Sequence, residues 1–235
     1  MPMVDPQFDP PRWLPTYAVR KPLLGFLREQ AAAAHAAYGP YRVLDVGCGR
    51  KQYQPLFAPY STSYVGVDPV DNPRAELKGA VEDLPVEDAS FDVVLCSQVL
   101  EHCDDPVRAV SELRRVTAPG GRVLATTHGV MPYHPSPTDY WRWTHAGLEK
   151  LFVGTASWES VRVTPSSGTT ACLGMLISIY LDLAFRRIRL GFAAKPIVAA
   201  INTVAMGIDG RSTSLREPGP SGLFANFHVV AEAPR

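Results

Sequence analysis

A chain of 235 residues fits one domain of ordinary size, long enough to bury a sizeable core. Its 23 basic and 23 acidic residues cancel, which gives no electrostatic footprint for a nucleic-acid partner. The four cysteines, Cys48, Cys96, Cys103 and Cys172, lack zinc-type spacing and fit reduced thiols in a cytoplasmic protein. The start of the chain has neither the basic segment nor the apolar run of a signal peptide, so a cytoplasmic location is expected. The 22 prolines are about twice the average share. They gather in the first fifteen residues, in 132–137 and in 218–220, which predicts ordered or semi-ordered loops.

The elements then follow in order. Residues 18–37, rich in Ala and Leu and closed by Gly39-Pro40, predict a leading helix. Strands are expected at about 42–47 and 63–68, near 76–81, and at 91–97. Asp105 as N-cap and Pro106 at the first helical position predict a helix running to Val116. A fifth strand is expected at about 121–127, and a helix from near Thr144 that carries Leu148, Leu151 and Phe152. Strands at 159–165 and 226–233 close the sheet. Strands alternating with helices imply an α/β fold with a mostly parallel, doubly wound sheet.

Two turns carry the chemistry. Val43-Leu44-Asp45-Val46-Gly47-Cys48-Gly49 reads as a buried strand running into a glycine-rich turn, where Gly47 and Gly49 let the backbone approach a ligand. Tyr64-Val65-Gly66-Val67-Asp68 ends on a lone carboxylate, suited to a ribose diol. A dinucleotide site would want a third glycine, and Arg50-Lys51-Gln52-Tyr53 supplies none. Asp45 would repel a phosphate but attract a cationic ligand. This weighs against a nicotinamide-dependent oxidoreductase.

At this point the chain resembles the class I S-adenosylmethionine-dependent methyltransferases, in their small branch similar to quinone-biosynthesis enzymes. Two further blocks carry the likeness, Glu82-Asp83-Leu84-Pro85 through Phe91-Asp92-Val93-Val94-Leu95-Cys96-Ser97 to Glu101-His102, and Arg115 to Leu124. Together the blocks cover roughly residues 40 to 128. The resemblance implies a Rossmann-like, seven-stranded sheet with its last strand antiparallel, and the apolar stretches of this chain place a helical insertion before that strand. It implies S-adenosyl-L-methionine as cofactor, with Asp45, Gly47, Cys48, Gly49 and Asp68 holding it, and Ser97 and Gln98 near its methionine end. Glu82, Asp83 and Leu84 are expected near its base, and Tyr17 and Arg20 of the leading segment are expected to close over it. Two departures stand out. Arg50 or Lys51 takes the place of the family's third glycine, and Ala80 stands where the family often has an acid for the adenine amino group.

The chain is thus read as a single methyltransferase domain over 1–235. Residues 1–40 form a cap-helix region, 41–128 the cofactor core, 129–145 an aromatic lid and 168–222 a helical insertion. The lid runs Thr127-His128 through Tyr133-His134 to Asp139-Tyr140-Trp141-Arg142-Trp143-Thr144. It resembles a segment found in a bacterial branch of this superfamily. Tyr133, Tyr140, Trp141, Arg142 and Trp143 are the expected substrate contacts, although packing of the aromatics against the body is the plainer alternative. In the insertion, 172–185 and 197–208 are apolar but fall short of about 18 uninterrupted residues. They read as a helical pair that caps the substrate or forms a homodimer contact, or as a peripheral membrane contact flanked by Arg186, Arg187 and Arg189.

Methyl transfer needs an aligned nucleophile and, for a hydroxyl, a base. His134, His128 and His102 are the candidates, and Asp139 either orients one of them or acts itself. No metal is expected. The acceptor is a small molecule, a glycan or a lipid-linked hydroxyl. The rival from another class is a catalytically inactive methyltransferase-like binding or scaffold subunit.

Overall fold

Apolar runs bounded by polar turns form the strands, and the computed structural model describes residues 9–235. The amino-terminal stretch whose prolines predicted ordered loops, and on which the signal-peptide expectation rests, lies in part outside the described residues. The element order is α1 (Tyr17–Tyr38), β1 (Tyr41–Val46), α2 (Gln54–Phe57), β2 (Ser61–Asp68), β3 (Leu77–Lys78), β4 (Phe91–Ser97), α3 (Pro106–Val116), β5 (Thr117–His128), α4 (His145–Thr155), β6 (Ser160–Pro165), α5 (Thr169–Arg187), α6 (Gly191–Arg211) and β7 (Asn226–Glu232).

The seven strands form one sheet in the order β3-β2-β1-β4-β5-β7-β6. β1 pairs in parallel with β2 and β4, and β4 in parallel with β5. The last strand runs the other way: as β5 rises from Gly120 to Gly129, its partners descend from Pro234 to Ala225. Order reverses between β1 and β4, the switch point at which such sheets bind ligands beyond the carboxyl ends of their strands. The central strands are covered on both faces, so Val43, Leu44, Val93, Val94, Leu95, Val123 and Leu124 are fully buried.

Local chemistry explains the helix starts. The Asp105 side chain accepts hydrogen bonds from the Val107 and Arg108 N–H groups, and Pro106 opens α3. Thr144 caps α4 through the Gly147 N–H. Two elements differ from expectation. The strand expected over 76–81 shrinks to Leu77–Lys78, because Pro85 packs on Gly79 and the chain turns at once through an Asp83 N–H to Ala80 carbonyl bond. The helices of the insertion, at 19 and 21 residues, run well past the apolar stretches that signalled them.

The chain divides into two compact units that do not follow chain order. A core unit holds Phe26–His128, Tyr133–Val163 and His228–Arg235. An insertion unit holds the chain up to Gly25, Gly129–Pro132 and Thr164–Phe227. Inside the insertion unit Ala18, Val19, Ala171, Cys172, Met175 and Ala225 form a small core. Asp209 near the end of α6 accepts from the Thr170 and Ala171 N–H groups at 3.1 and 2.9 Å, so one helix caps the start of the other. All four cysteines are free and buried.

Candidate functional site

The glycine-rich turn after β1 is shaped by backbone sterics. Gly47 has φ +68, and a methyl group there would run into the Val99 side chain. Gly49 has φ +49 with open space around it, so its need is conformational only. Lys51 also sits at φ +53, where a non-glycine residue is held under strain. Its ammonium is tied to the Glu76 carboxylate, which also accepts the Gly66 N–H at 2.6 Å. Lys51, one of the two residues that the resemblance sets in place of a third glycine, thus still adopts a left-handed backbone and is pinned by an ion pair.

The two acids differ in kind. Asp68, at the end of β2, accepts from the Gly49 N–H at 3.0 Å, the Asn72 side-chain amide at 3.1 Å and the Val70 N–H at 3.3 Å. It braces the turn, and with three of roughly four acceptor directions in use, a ribose diol would share or displace the Asn72 bond. Asp45 is buried, and the Tyr64 hydroxyl donates to it at 2.6 Å. Burial pushes its carboxyl up to about 7, against that hydrogen bond.

A cleft of about 200 Å³ opens at this switch point. Gly47, Ala80 and Glu82 line it, as do Pro69, Val81, Val99, Cys103 and Asp104, which the motifs did not single out. Apolar wall residues carry no local sign of their role. Their only signal is position, one or two residues past a motif acid or inside the block that ends at His102. Glu82 is engaged: its carboxylate accepts the Asp104 N–H at 2.8 Å and its carbonyl accepts from Arg108. Asp83 is exposed, and Leu84 is buried with its N–H donated to Glu112. Ser97 and Gln98 are both bonded to the Thr126 hydroxyl, and Gln98 holds φ +59. Cys48 is buried, which pushes its thiol up to about 11. Tyr17 and Arg20 belong to the insertion unit, where Tyr17 is buried with the Arg12 guanidinium 6.0 Å over its ring and Arg20 is exposed.

A larger depression of about 960 Å³ lies at the opposite edge of the core unit, around Tyr38, Asp92, Arg122 and Glu232. Several of its charges are paired, Arg122 with Glu232 and the Tyr38 hydroxyl, Asp92 with Arg42. It faces the amino ends of the strands, away from the glycine turn.

The core unit gathers the candidate bases. His102 lines the cleft, and its Nδ1 lies 3.0 Å from the Thr138 carbonyl. A carbonyl only accepts, so Nδ1 carries the proton in this contact, and in a neutral ring the lone pair then sits on Nε2. The His134 ring stands 6.0 Å from that of His102, centroid to centroid, and is exposed. Asp139 is paired with Arg142 and accepts the His134 N–H at 3.1 Å, so it braces the lid. His128 closes β5, its Nε2 3.3 Å from the carboxylate of the fully buried Glu101. Glu101 also accepts from the Thr127 hydroxyl at 2.8 Å, and its carbonyl receives the Tyr140 and Trp141 N–H groups. Burial drives the two in opposite directions, His128 down to about 4 and Glu101 up to about 7. Each prefers its neutral form. Sequence reasoning missed Glu101 because a buried acid looks no different from an exposed one in the chain.

Of the expected substrate contacts, Tyr133 and Tyr140 are well exposed. The Trp141 and Trp143 rings stack at 5.6 Å, with the Trp141 indole donating to the Cys103 carbonyl on the cleft wall. Arg142 bridges Asp139 and the Trp141 carbonyl.

Comparison with known proteins locates the likeness in this core. Residues 44–125 match a family model described as a methyltransferase domain. An uncharacterized methyltransferase from Mycobacterium sp. (strain JLS) is 39% identical over 113 residues, 43% of this chain and 45% of that protein. A ubiquinone biosynthesis O-methyltransferase from Hahella chejuensis is 33% identical over 133 residues, 49% of this chain and 56% of that one. The aligned part thus spans about half the length of these curated relatives. A putative methyltransferase from Bacillus halodurans shares the fold, with a TM-score of 0.54 at 16% identity, over 88% of this chain and 99% of that one.

The cleft has features that suit the S-adenosyl-L-methionine that the resemblance implies. The Gly47 backbone is bare where a side chain would intrude, Val81 and Val99 offer apolar walls for a flat base, and Asp68 stands beside the turn.

Proposed function

We propose, for a chain whose residues 44–125 belong to the class I S-adenosylmethionine-dependent methyltransferases, that it transfers a methyl group to a hydroxyl oxygen of a small-molecule, glycan or lipid-linked acceptor. The Gly47–Gly49 turn and Asp68 hold the cofactor, and Val81 and Val99 flank its base. The cofactor supplies a methyl carbon already activated by its sulfonium. The chain's own residues have to align the acceptor, exclude water and take its proton.

The observation that carries the oxygen-directed reading is the contact of His102 Nδ1 with the Thr138 carbonyl at 3.0 Å. His102 is the imidazole on the cleft wall, and in the neutral ring its Thr138 bond leaves Nε2 free to receive a hydroxyl proton. His134 takes the second position across the lid, and Asp139 orients His134 through its backbone. Tyr133, Tyr140 and Trp141 offer the acceptor aromatic surface, with Arg142 and Trp143 behind them. The buried, unbridged cysteines support a reducing compartment, the cytoplasm.

Calorimetric titration with S-adenosylmethionine and with S-adenosylhomocysteine tests the reading. The expected result is that both bind the wild-type protein and that Asp68→Ala weakens them by about 1–3 kcal/mol, because the ribose loses its acceptor and the Gly49 N–H its brace. His102→Ala keeps cofactor affinity and lowers turnover of a hydroxylated acceptor. Binding of neither cofactor form would move the protein to the scaffold reading.

A further inference from the structure

The insertion unit leaves a large apolar surface without a partner. On α5, Leu173, Ile177, Tyr180 and Leu183 recur at helical spacing and are all exposed. On α6, Ile197, Val204 and Ile208 do the same. A groove of about 410 Å³ lined by Leu173, Ile177, Ile201 and Val204 shows that the two stripes meet on one side of the pair. At the connection between the helices Ile188, Leu190 and Phe192 are exposed, Phe192 by 71%. Singly exposed apolar residues are ordinary, but a contiguous field of them marks an interaction surface.

By length and composition both helices are long and apolar enough to cross a membrane. Their other faces argue for lying on one instead. Asn202 donates to the Arg12 and Leu14 carbonyls, and Asp209 caps α5. Both are buried in the insertion unit, together with Ala171, Cys172, Met175, Ala194 and Val198. A spanning arrangement would have to strip these contacts away.

Charge selects the occupant. Arg186, Arg187 and Arg189 alternate with the exposed apolar residues of the connection, and Lys195 and Arg211 add to them. Against these five stand two acids, Asp182, which is paired with Arg186, and the buried Asp209. A two-fold contact with a second copy sets the same patch against itself, and here that would face arginine with arginine. An anionic bilayer reverses the sign: the guanidinium groups reach lipid phosphates while their stems and the apolar residues sink below. Trp13, half exposed with the Lys195 ammonium 4.6 Å over its ring, adds the amphipathic aromatic favoured at that depth. We infer that the exposed face of the α5–α6 pair is a docking surface for an anionic phospholipid membrane.

The inference does not depend on the enzymatic reading, and its test leaves the cofactor aside. The full chain is sedimented with vesicles of pure phosphatidylcholine and of a phosphatidylcholine–phosphatidylglycerol mixture. The expected result is binding at least roughly tenfold tighter to the anionic vesicles, weakened by salt. Each arginine near such a surface adds roughly fivefold, so the combined Arg186→Gln, Arg187→Gln and Arg189→Gln variant should lose on the order of a hundredfold. Phe192→Ser with Ile188→Ser should lose binding to both vesicle types while keeping the wild-type circular dichroism. Protein left in the supernatant with both vesicle types overturns the inference, as does equal binding to the two. So does a stable dimer in light scattering that the Phe192 and Ile188 changes dissociate, since the face would then belong to a second copy.

Discussion

β4 and α5 are both rich in apolar side chains, and the protein uses them in opposite ways. In β4 the residues Val93, Val94, Leu95 and Cys96 are wholly buried. In α5 the residues Leu173, Ile177, Tyr180 and Leu183 are largely exposed, while Cys172 and Met175 on the other side are buried. The difference lies in what covers each element. A central parallel strand is covered on both faces, so a continuous apolar run is the natural content for it. α5 packs one face on the small core of the insertion unit and on α6, and nothing among the described residues covers the rest. Hydrophobicity read along a chain reports a wish to leave water, and the surroundings decide whether the fold itself satisfies it.

Truncation separates the two uses. Leu95→Ala should cost about 2–5 kcal/mol, through lost burial and the cavity left behind. Ile177→Ser should change stability by no more than about 0.5 kcal/mol, as expected of an exposed site. Thermal melts of the two variants against wild type check this. An equal loss from Ile177→Ser would mean that its face is covered and the comparison false.

The same contrast explains how much was legible in the chain. The strands of the core, the Asp105 cap and the Thr144 cap are set by local pattern and local hydrogen bonds, and their positions agree with expectation to within a few residues. The antiparallel last strand came through the family resemblance. Elements governed by distant contacts were less clear. α5 begins at Thr169, ahead of its apolar run, because Asp209 some 40 residues away caps it. β3 stops short because Pro85 packs on Gly79. At the candidate site, the positive φ of Gly47 and Gly49 and the place of Asp68 at the end of β2 were readable because a left-handed turn and a terminal carboxylate are local demands. The cleft walls, Pro69, Val81 and Val99, were not, since an apolar residue in a turn looks the same whether or not it lines a cleft. The reading of Asp45 as an attractor of cations also missed its burial against Tyr64.

The glycine turn offers a smaller but sharper break. Gly47→Ala forces a methyl group toward Val99 at a backbone angle that disfavours any side chain, at a cost of about 1–3 kcal/mol. That cost should appear in calorimetry as weaker S-adenosylmethionine binding, or in the melt as lower stability. Gly49→Ala keeps the unfavourable φ but has open space, so it should be the milder of the two. If Gly49→Ala were as damaging as Gly47→Ala, the Val99 contact would have no part in shaping the cleft.

An effect of another kind belongs to the buried Glu101–His128 pair, and it is read in the pH dependence of stability. Burial holds the Glu101 proton on the folded chain up to about 7, whereas the unfolded chain releases it in the ordinary carboxylate range. The folded state therefore binds the extra proton, and stability from this group is full at low pH and lost as the pH rises through about 7. His128 works in the other sense. Its imidazole is held down to about 4, so its contribution is present at neutral pH and lost as the pH falls from its ordinary range toward 4. Glu101→Gln keeps an acceptor for the Thr127 hydroxyl and removes the titration. The variant's melting temperature should then decline less than that of wild type between about pH 5 and 7.5, with the acid limb left in place. Asp45, also held up to about 7, keeps its own share of the decline, so the slope should shrink without vanishing. An unchanged slope would mean that Glu101 is ionised in the folded protein, and that His128 carries the proton the pair shares.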